Sequence, residues 1–192
     1  MIHTTISILK DKLNQYLSTK IDSERQMVNY IASDGSNQGV FPVNTVTPFL
    51  INVSEDRKFR NADQHQGIIN NGIRTRFNPE IRIELLVLFV SNFTDYDQAL
   101  RSLSYVIKFF QANRIFTPEN APQLQEGLIE KLIIELISIP LEEQNQVWHS
   151  LNTSYLPSVL YRIRLLSFND DDESIQFAGK QTEEVITTVY NK

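Results

Sequence analysis

Residues 81–90 read Ile-Arg-Ile-Glu-Leu-Leu-Val-Leu-Phe-Val, and the second half of that run has no position suited to water. Arg82 and Glu84 alternate with Ile81 and Ile83, as in a strand with one wet face, whereas Leu85 to Val90 is apolar at every position. Because successive strand side chains point to opposite faces, this strand must lie inside a sheet covered on both sides. The run is far shorter than the roughly 18 residues that cross a bilayer. No basic, then apolar, then small-residue leader opens the chain, so no membrane insertion is expected.

The helices to cover that sheet are visible as 3.6-residue stripes. Ile2, Ile6, Leu9, Leu13 and Leu17 predict an amphipathic helix ending near Lys20. Tyr96, Leu100, Leu103, Ile107 and Phe110 predict a second, capped by Thr94 or Asp95 and running to about Asn113. Residues 27–31 and 46–53 read as short strands joined through a loop at 33–39. Residues 54–79 read as a long polar loop. A buried strand is expected at 131–139, ended by Pro140. A short helix follows, with Glu142 and Glu143 at its start and Val147, Trp148 and Leu151 on its apolar side. The last strand, 158–168, puts Val159, Tyr161, Ile163 and Leu165 on one face and Leu160, Arg162, Arg164 and Leu166 on the other.

This order predicts an α+β fold: a single domain with a mixed, mostly antiparallel sheet and flanking helices. In a chain of 192 residues with 41% apolar content, one core is expected. The domain is placed at residues 1–168, with an acidic linker and C-terminal tail at 169–192. The tail holds six acids against Lys180 and Lys192, most of the chain's net charge of −5. Its apolar set, Phe177, Val185, Ile186, Val189 and Tyr190, can fold back on the domain or dock on a neighbouring copy.

Chemistry is sparse. There are no cysteines, which excludes disulfides, thiol nucleophiles and thiolate metal sites. His3, His65 and His149 lack any spacing that would bring two imidazoles to one metal. No Gly-x-Ser-x-Gly elbow or glycine-rich phosphate loop occurs. Asp170 to Glu173 lacks the spaced ligands and turn glycine of a calcium loop and reads as a solvated linker. No catalytic residue, cofactor or metal is expected. An acidic chain without a basic stripe does not predict nucleic-acid binding. Arg57, Lys58, Arg60, Arg74 and Arg76 make residues 54–79 mildly basic. With Arg162 and Arg164 they are the candidate contacts to other protein surfaces, since arginine pairs carboxylates bidentately across interfaces.

Between residues 141 and 166 the sequence becomes specific. Asn145, then Trp148, then Tyr155-x-Pro157-Ser158, then Tyr161-x-x-Arg164 on a strand resembles the tube-terminating cap proteins of extracellular contractile injection systems, the antifeeding-prophage and Photorhabdus-virulence-cassette type. The opening helix at 6–13, Arg60-Asn61, the Asn-Pro before the central strand, and Tyr96, Ala99, Leu100, Phe109, Phe110 and Gln111 are similar to that family as well. The resemblance covers most of residues 1–168 and leaves 169–192 unmatched. It implies a phage tail-terminator fold and a non-enzymatic subunit that forms a homo-hexameric ring on the last layer of an inner tube. The ring would end tube growth and hold the sheath, so the implied partners are itself, the tube protein and the sheath protein. The alternatives are another tail-completion or baseplate component of the same particle and, further off, a small hydrolase using Asp170 to Glu173 with a divalent metal. It also implies synthesis and assembly in the cytoplasm as part of a particle that is released or membrane-anchored.

Overall fold

The computed structural model describes residues 1–21, 25–33, 39–56, 68–70, 73–75, 82–167 and 176–177. Helix α1 (Ile2–Ile21) buries Ile6, Leu9, Leu13 and Leu17, with Ile2 packed at the margin, so the predicted stripe is the covered one. Residues 27–31 depart from expectation and are not a strand. Val28 makes a lone parallel bridge to Val46. The N–H groups of Met27 and Val28 instead donate to Asn14 Oδ1 of α1, at 2.7 and 3.0 Å. A helix side chain has taken donors that a strand ladder would otherwise satisfy.

Strands β1 (Ala32–Ser33) and β2 (Gly39–Val40) pair antiparallel and precede β3 (Thr45–Glu55). The predicted loop at 54–79 is therefore not wholly a loop. Ser54 and Glu55 extend β3, and β4 (Ile68–Asn70) pairs with β5 (Ile73–Thr75) so that Asn70 faces Ile73 across Asn71-Gly72. Asn-Gly is the dipeptide best suited to a two-residue hairpin connection.

The apolar run becomes β6 (Arg82–Asn92). Asp95 caps α2 (Tyr96–Ala112), its carboxylate accepting from Asp97 N at 3.1 Å, and Asn113 closes the other end. Then come β7 (Ile115–Phe116), a 3-10 turn at Pro122–Gly127, β8 (Ile129–Ile137), α3 (Leu141–Ser150) and β9 (Ser158–Ser167). The main sheet is antiparallel throughout, in the order β3-β6-β9-β8-β7. β6 and β9 are both interior, as the two-sided apolar run at 85–90 requires.

One face of the sheet carries Leu85, Val87 and Phe89 of β6, Leu132 and Ile134 of β8, and Tyr161, Ile163 and Leu165 of β9, all packed under α1 and α2. Tyr16 of α1 meets Phe109 and Tyr105 of α2 at ring separations of 5.3 and 6.5 Å, which closes that layer. On the other face Leu88, Val90 and Leu160 form a smaller core with Phe41 and Trp148, covered by α3. Helices thus cover both sides, as expected.

A second, separate unit comprises residues 60–79 and 169–192. Within it β10 (Gln176–Phe177) pairs antiparallel with β5, giving a three-stranded sheet in the order β10-β5-β4.

Candidate functional site

The arginines of β9 project side by side, as the alternation predicted, from the half of the sheet face beyond α3. Each finds a carboxylate of its own chain. Arg162 Nε donates to Glu84 Oε1 of β6 at 2.8 Å, and Arg164 Nη2 donates to Glu135 Oε1 of β8. The hydrogen bond to Glu135 and the neighbouring carboxylates hold the Arg164 guanidinium above its already high pKa, against the opposing effect of burial. The four side chains are 19 to 40% exposed, so this is a ladder at the surface and not a buried charge cluster.

The motif residues at 145–164 are distributed across both faces. Trp148 is buried, 6.1 Å from Phe41 and 5.4 Å from Tyr155 between ring centres. Its Nε1 is buried without a hydrogen-bond partner, so its role is packing. Tyr155 is exposed over it, with its hydroxyl accepting from Gln144 Nε2 at 3.3 Å. Asn145 is exposed on α3. The Pro157 carbonyl accepts from Ser91 N at 2.9 Å, which ties the entry of β9 to the end of β6. The Ser158 hydroxyl is buried with no partner. Tyr161 lies on the opposite face, wedged between Phe89 and Phe110 with ring centres 5.7 and 4.8 Å away, and burial pushes its phenol up to about 12. Arg57, Lys58, Arg60 and Arg76, and the acidic run 170–173, lie outside the described residues. Arg74 is described only as a backbone partner of Phe177 in the small sheet.

The largest correction concerns α2. Its buried positions are Ala99, Ser102, Val106, Phe109 and Phe110. Of the predicted stripe only Phe110 is buried, and Tyr96, Leu100 and Ile107 face outward, Tyr96 at 67% and Leu100 at 41% exposure. The helix is apolar on two neighbouring stripes, and periodicity alone picked the wrong one. Ala99 and Ser102 suit the buried stripe because small side chains let the helix approach β6, where Ser91 Oγ donates to the Ala99 carbonyl at 2.9 Å.

The outward stripe continues into a groove of about 690 Å³ between α2 and the outer strands. Ile107, Ile115, Ile134 and Leu136 supply part of its apolar lining, and its polar members include both Arg114 and Glu135. Ile115 is 47% and Leu136 54% exposed. Among the described residues, no group of three or more His, Asp or Glu is placed to hold a metal ion, and no helix is long and apolar enough to cross a membrane.

The fold is similar to solved structures. One is a cryo-EM structure of the sheath/tube terminator of the extracellular contractile injection system PVC in its extended state. It superposes with a TM-score of 0.57 at 17% identity, over all of this chain and 65% of that one. The cap of the anti-feeding prophage, a tube-terminating cap, gives a TM-score of 0.48 at 17% identity over 93% of this chain and 59% of that one. The first likeness agrees with the α+β, terminator-like fold expected from the sequence, and this chain spans 65% of that relative's length. No curated protein sequence matches the chain. The model of the Pvc16 N-terminal domain matches residues 4–176, which takes in most of α1, every strand of the main sheet and the start of β10, and the chain therefore belongs to that family.

Proposed function

We propose that this chain is a non-catalytic terminator, or cap, of the tube and sheath of a phage-tail-like contractile injection particle. The observation that carries the reading is the family match over residues 4–176, joined to a whole-chain fold likeness to a structure described as a sheath/tube terminator. Copies of the chain assemble head to tail into a ring, a heterologous contact that closes when the rotation per subunit divides a full turn. Six subunits would match the layer on which the ring sits. The ring stops addition of tube subunits and holds the top of the sheath.

The outward stripe Tyr96, Leu100 and Ile107 is the best candidate for contact between subunits, because it is apolar, exposed and carried on a rigid helix. The basic segment with Arg57, Lys58, Arg60, Arg74 and Arg76 is proposed to meet acidic surfaces of tube or sheath. Arg162 and Arg164 already have carboxylate partners within the chain, which makes them weaker candidates than the stripe.

The test is to image injection particles purified from cells with and without the gene. Tubes of uncontrolled length, or tubes that lose their sheath, are expected in its absence. Sheathed tubes of normal length would overturn the reading.

A further inference from the structure

Two exposed apolar surfaces around the main sheet carry opposite charge. The first is the groove beside α2, walled by Ile107, Ile115 and Leu136. Arg114 also lines it and Lys108 is exposed next to Ile107, and neither cation is paired with a carboxylate among the described residues. Glu135, the acid in the same lining, is bonded to Arg164, so the positive charge of the groove is not offset from within.

The second surface is the start of α3. Leu141 is 69% exposed and Tyr155 59%. Gln144 links them: it stands one turn from Leu141 on the same side of the helix, and its amide donates to the Tyr155 hydroxyl. Beside this apolar pair, Glu142 and Glu143 are exposed in the first helical turn and paired with no cation among the described residues. Apolar area flanked by unpaired like charges suits a partner that is apolar and of opposite sign.

The groove of a second copy is such a partner. The two surfaces lie on opposite faces of the main sheet, since α2 packs on the face of Phe89 and Tyr161 and α3 on that of Leu88 and Leu160. Contact between two different patches is head to tail, and each copy then keeps one patch of each kind for its neighbours.

We propose that the start of α3 in one copy seats in the α2–β8 groove of the next, with Leu141 and Tyr155 against Ile107, Ile115 and Leu136, and Glu142 and Glu143 meeting Arg114 and Lys108. This rests on the reading that copies of the chain associate head to tail, and it names the two surfaces that meet.

Sedimentation of the unmodified chain decides the association itself, and charge exchange decides the surfaces. Arg114→Glu, and separately Glu142→Lys with Glu143→Lys, are each expected to weaken self-association about tenfold. An equimolar mixture of the two variants is expected to associate like the parent, because each acidic groove then meets a basic α3 and each native groove a native α3. A mixture no better associated than its components, or variants that behave as the parent does, would overturn the proposal and leave head-to-tail association standing. A parent that stays monomeric at every concentration would remove both. Because the chain has no cysteine, single-cysteine copies give a second reading. Leu141→Cys mixed with Ile115→Cys is expected to yield several-fold more mixed disulfide than Leu141→Cys mixed with Val53→Cys, an exposed site on β3. Equal yields would count decisively against the proposed pairing, whatever the charge variants do.

Discussion

Arg162 and Arg164 each bond the carboxylate that stands opposite the other. In register, Arg162 faces Glu135 and Arg164 faces Glu84, yet Arg162 pairs with Glu84 and Arg164 with Glu135. The crossed pairs tie β6, β9 and β8 together.

Arg162→Glu should therefore destabilise the chain by about 1–3 kcal/mol, because it loses a partly buried pair and places a third acid beside Glu84 and Glu135. Adding Glu84→Arg should recover part of that loss. Urea unfolding of the two singles and the double provides the coupling energy, and a coupling near zero would mean that the pair contributes nothing.

Trp148→Ala should cost about 3–5 kcal/mol through the cavity left beneath α3. Trp148→Phe should cost only about 1–2 kcal/mol, since the indole N–H has no partner to lose. Circular dichroism on thermal unfolding measures both, and equal losses would point to a hidden partner for Nε1.

The two stripes of α2 should separate cleanly. Val106→Asp buries an unpaired charge and should cost about 3–5 kcal/mol. Tyr96→Lys with Leu100→Lys should leave the isolated chain within about 1 kcal/mol of the parent while abolishing self-association. Denaturation and analytical ultracentrifugation together decide this, and normal assembly of the double variant would remove the stripe from the interface.

Tyr161 sets an alkaline limit. Burial raises its folded pKa to about 12 from an ordinary value near 10. The unfolded chain therefore releases this proton first, and the associated stability is complete below about pH 10 and lost as pH rises towards about 12. Stability of Tyr161→Phe should fall less over that interval. Identical pH profiles for parent and variant would contradict the assigned burial effect.

Much of this architecture was legible because it follows from burial on two faces. The run at 85–90 demanded an interior strand, and the alternation at 158–168 separated Tyr161 from Arg162 and Arg164 as observed. Three things were not legible, for different reasons. Residues 27–31 have strand composition, but the N–H groups of Met27 and Val28 are taken by Asn14, a partner 13 and 14 residues away that no local pattern reveals. The α2 stripe was misassigned because the buried side uses Ala99 and Ser102, which periodicity of large apolar residues passes over. The β4–β5 pair was masked by polar flanks, although Asn71-Gly72 was the signal that could have located it. For the candidate site, the motif at 145–164 identified the family, whereas the groove is assembled from α2, β7 and β8 and exists only after folding.

β9 is made after every other strand of the main sheet, yet it lies in the middle, between β6 and β8. Until residue 167 has left the ribosome, β3 with β6 and β7 with β8 are separate pieces, each offering a bare inner edge to any passing strand. Closure then joins contacts about eighty residues apart, from Leu85 to Ile163, which places this chain among slow folders with a large loop to close. The nascent protein is at its most aggregation-prone just before its central strand arrives.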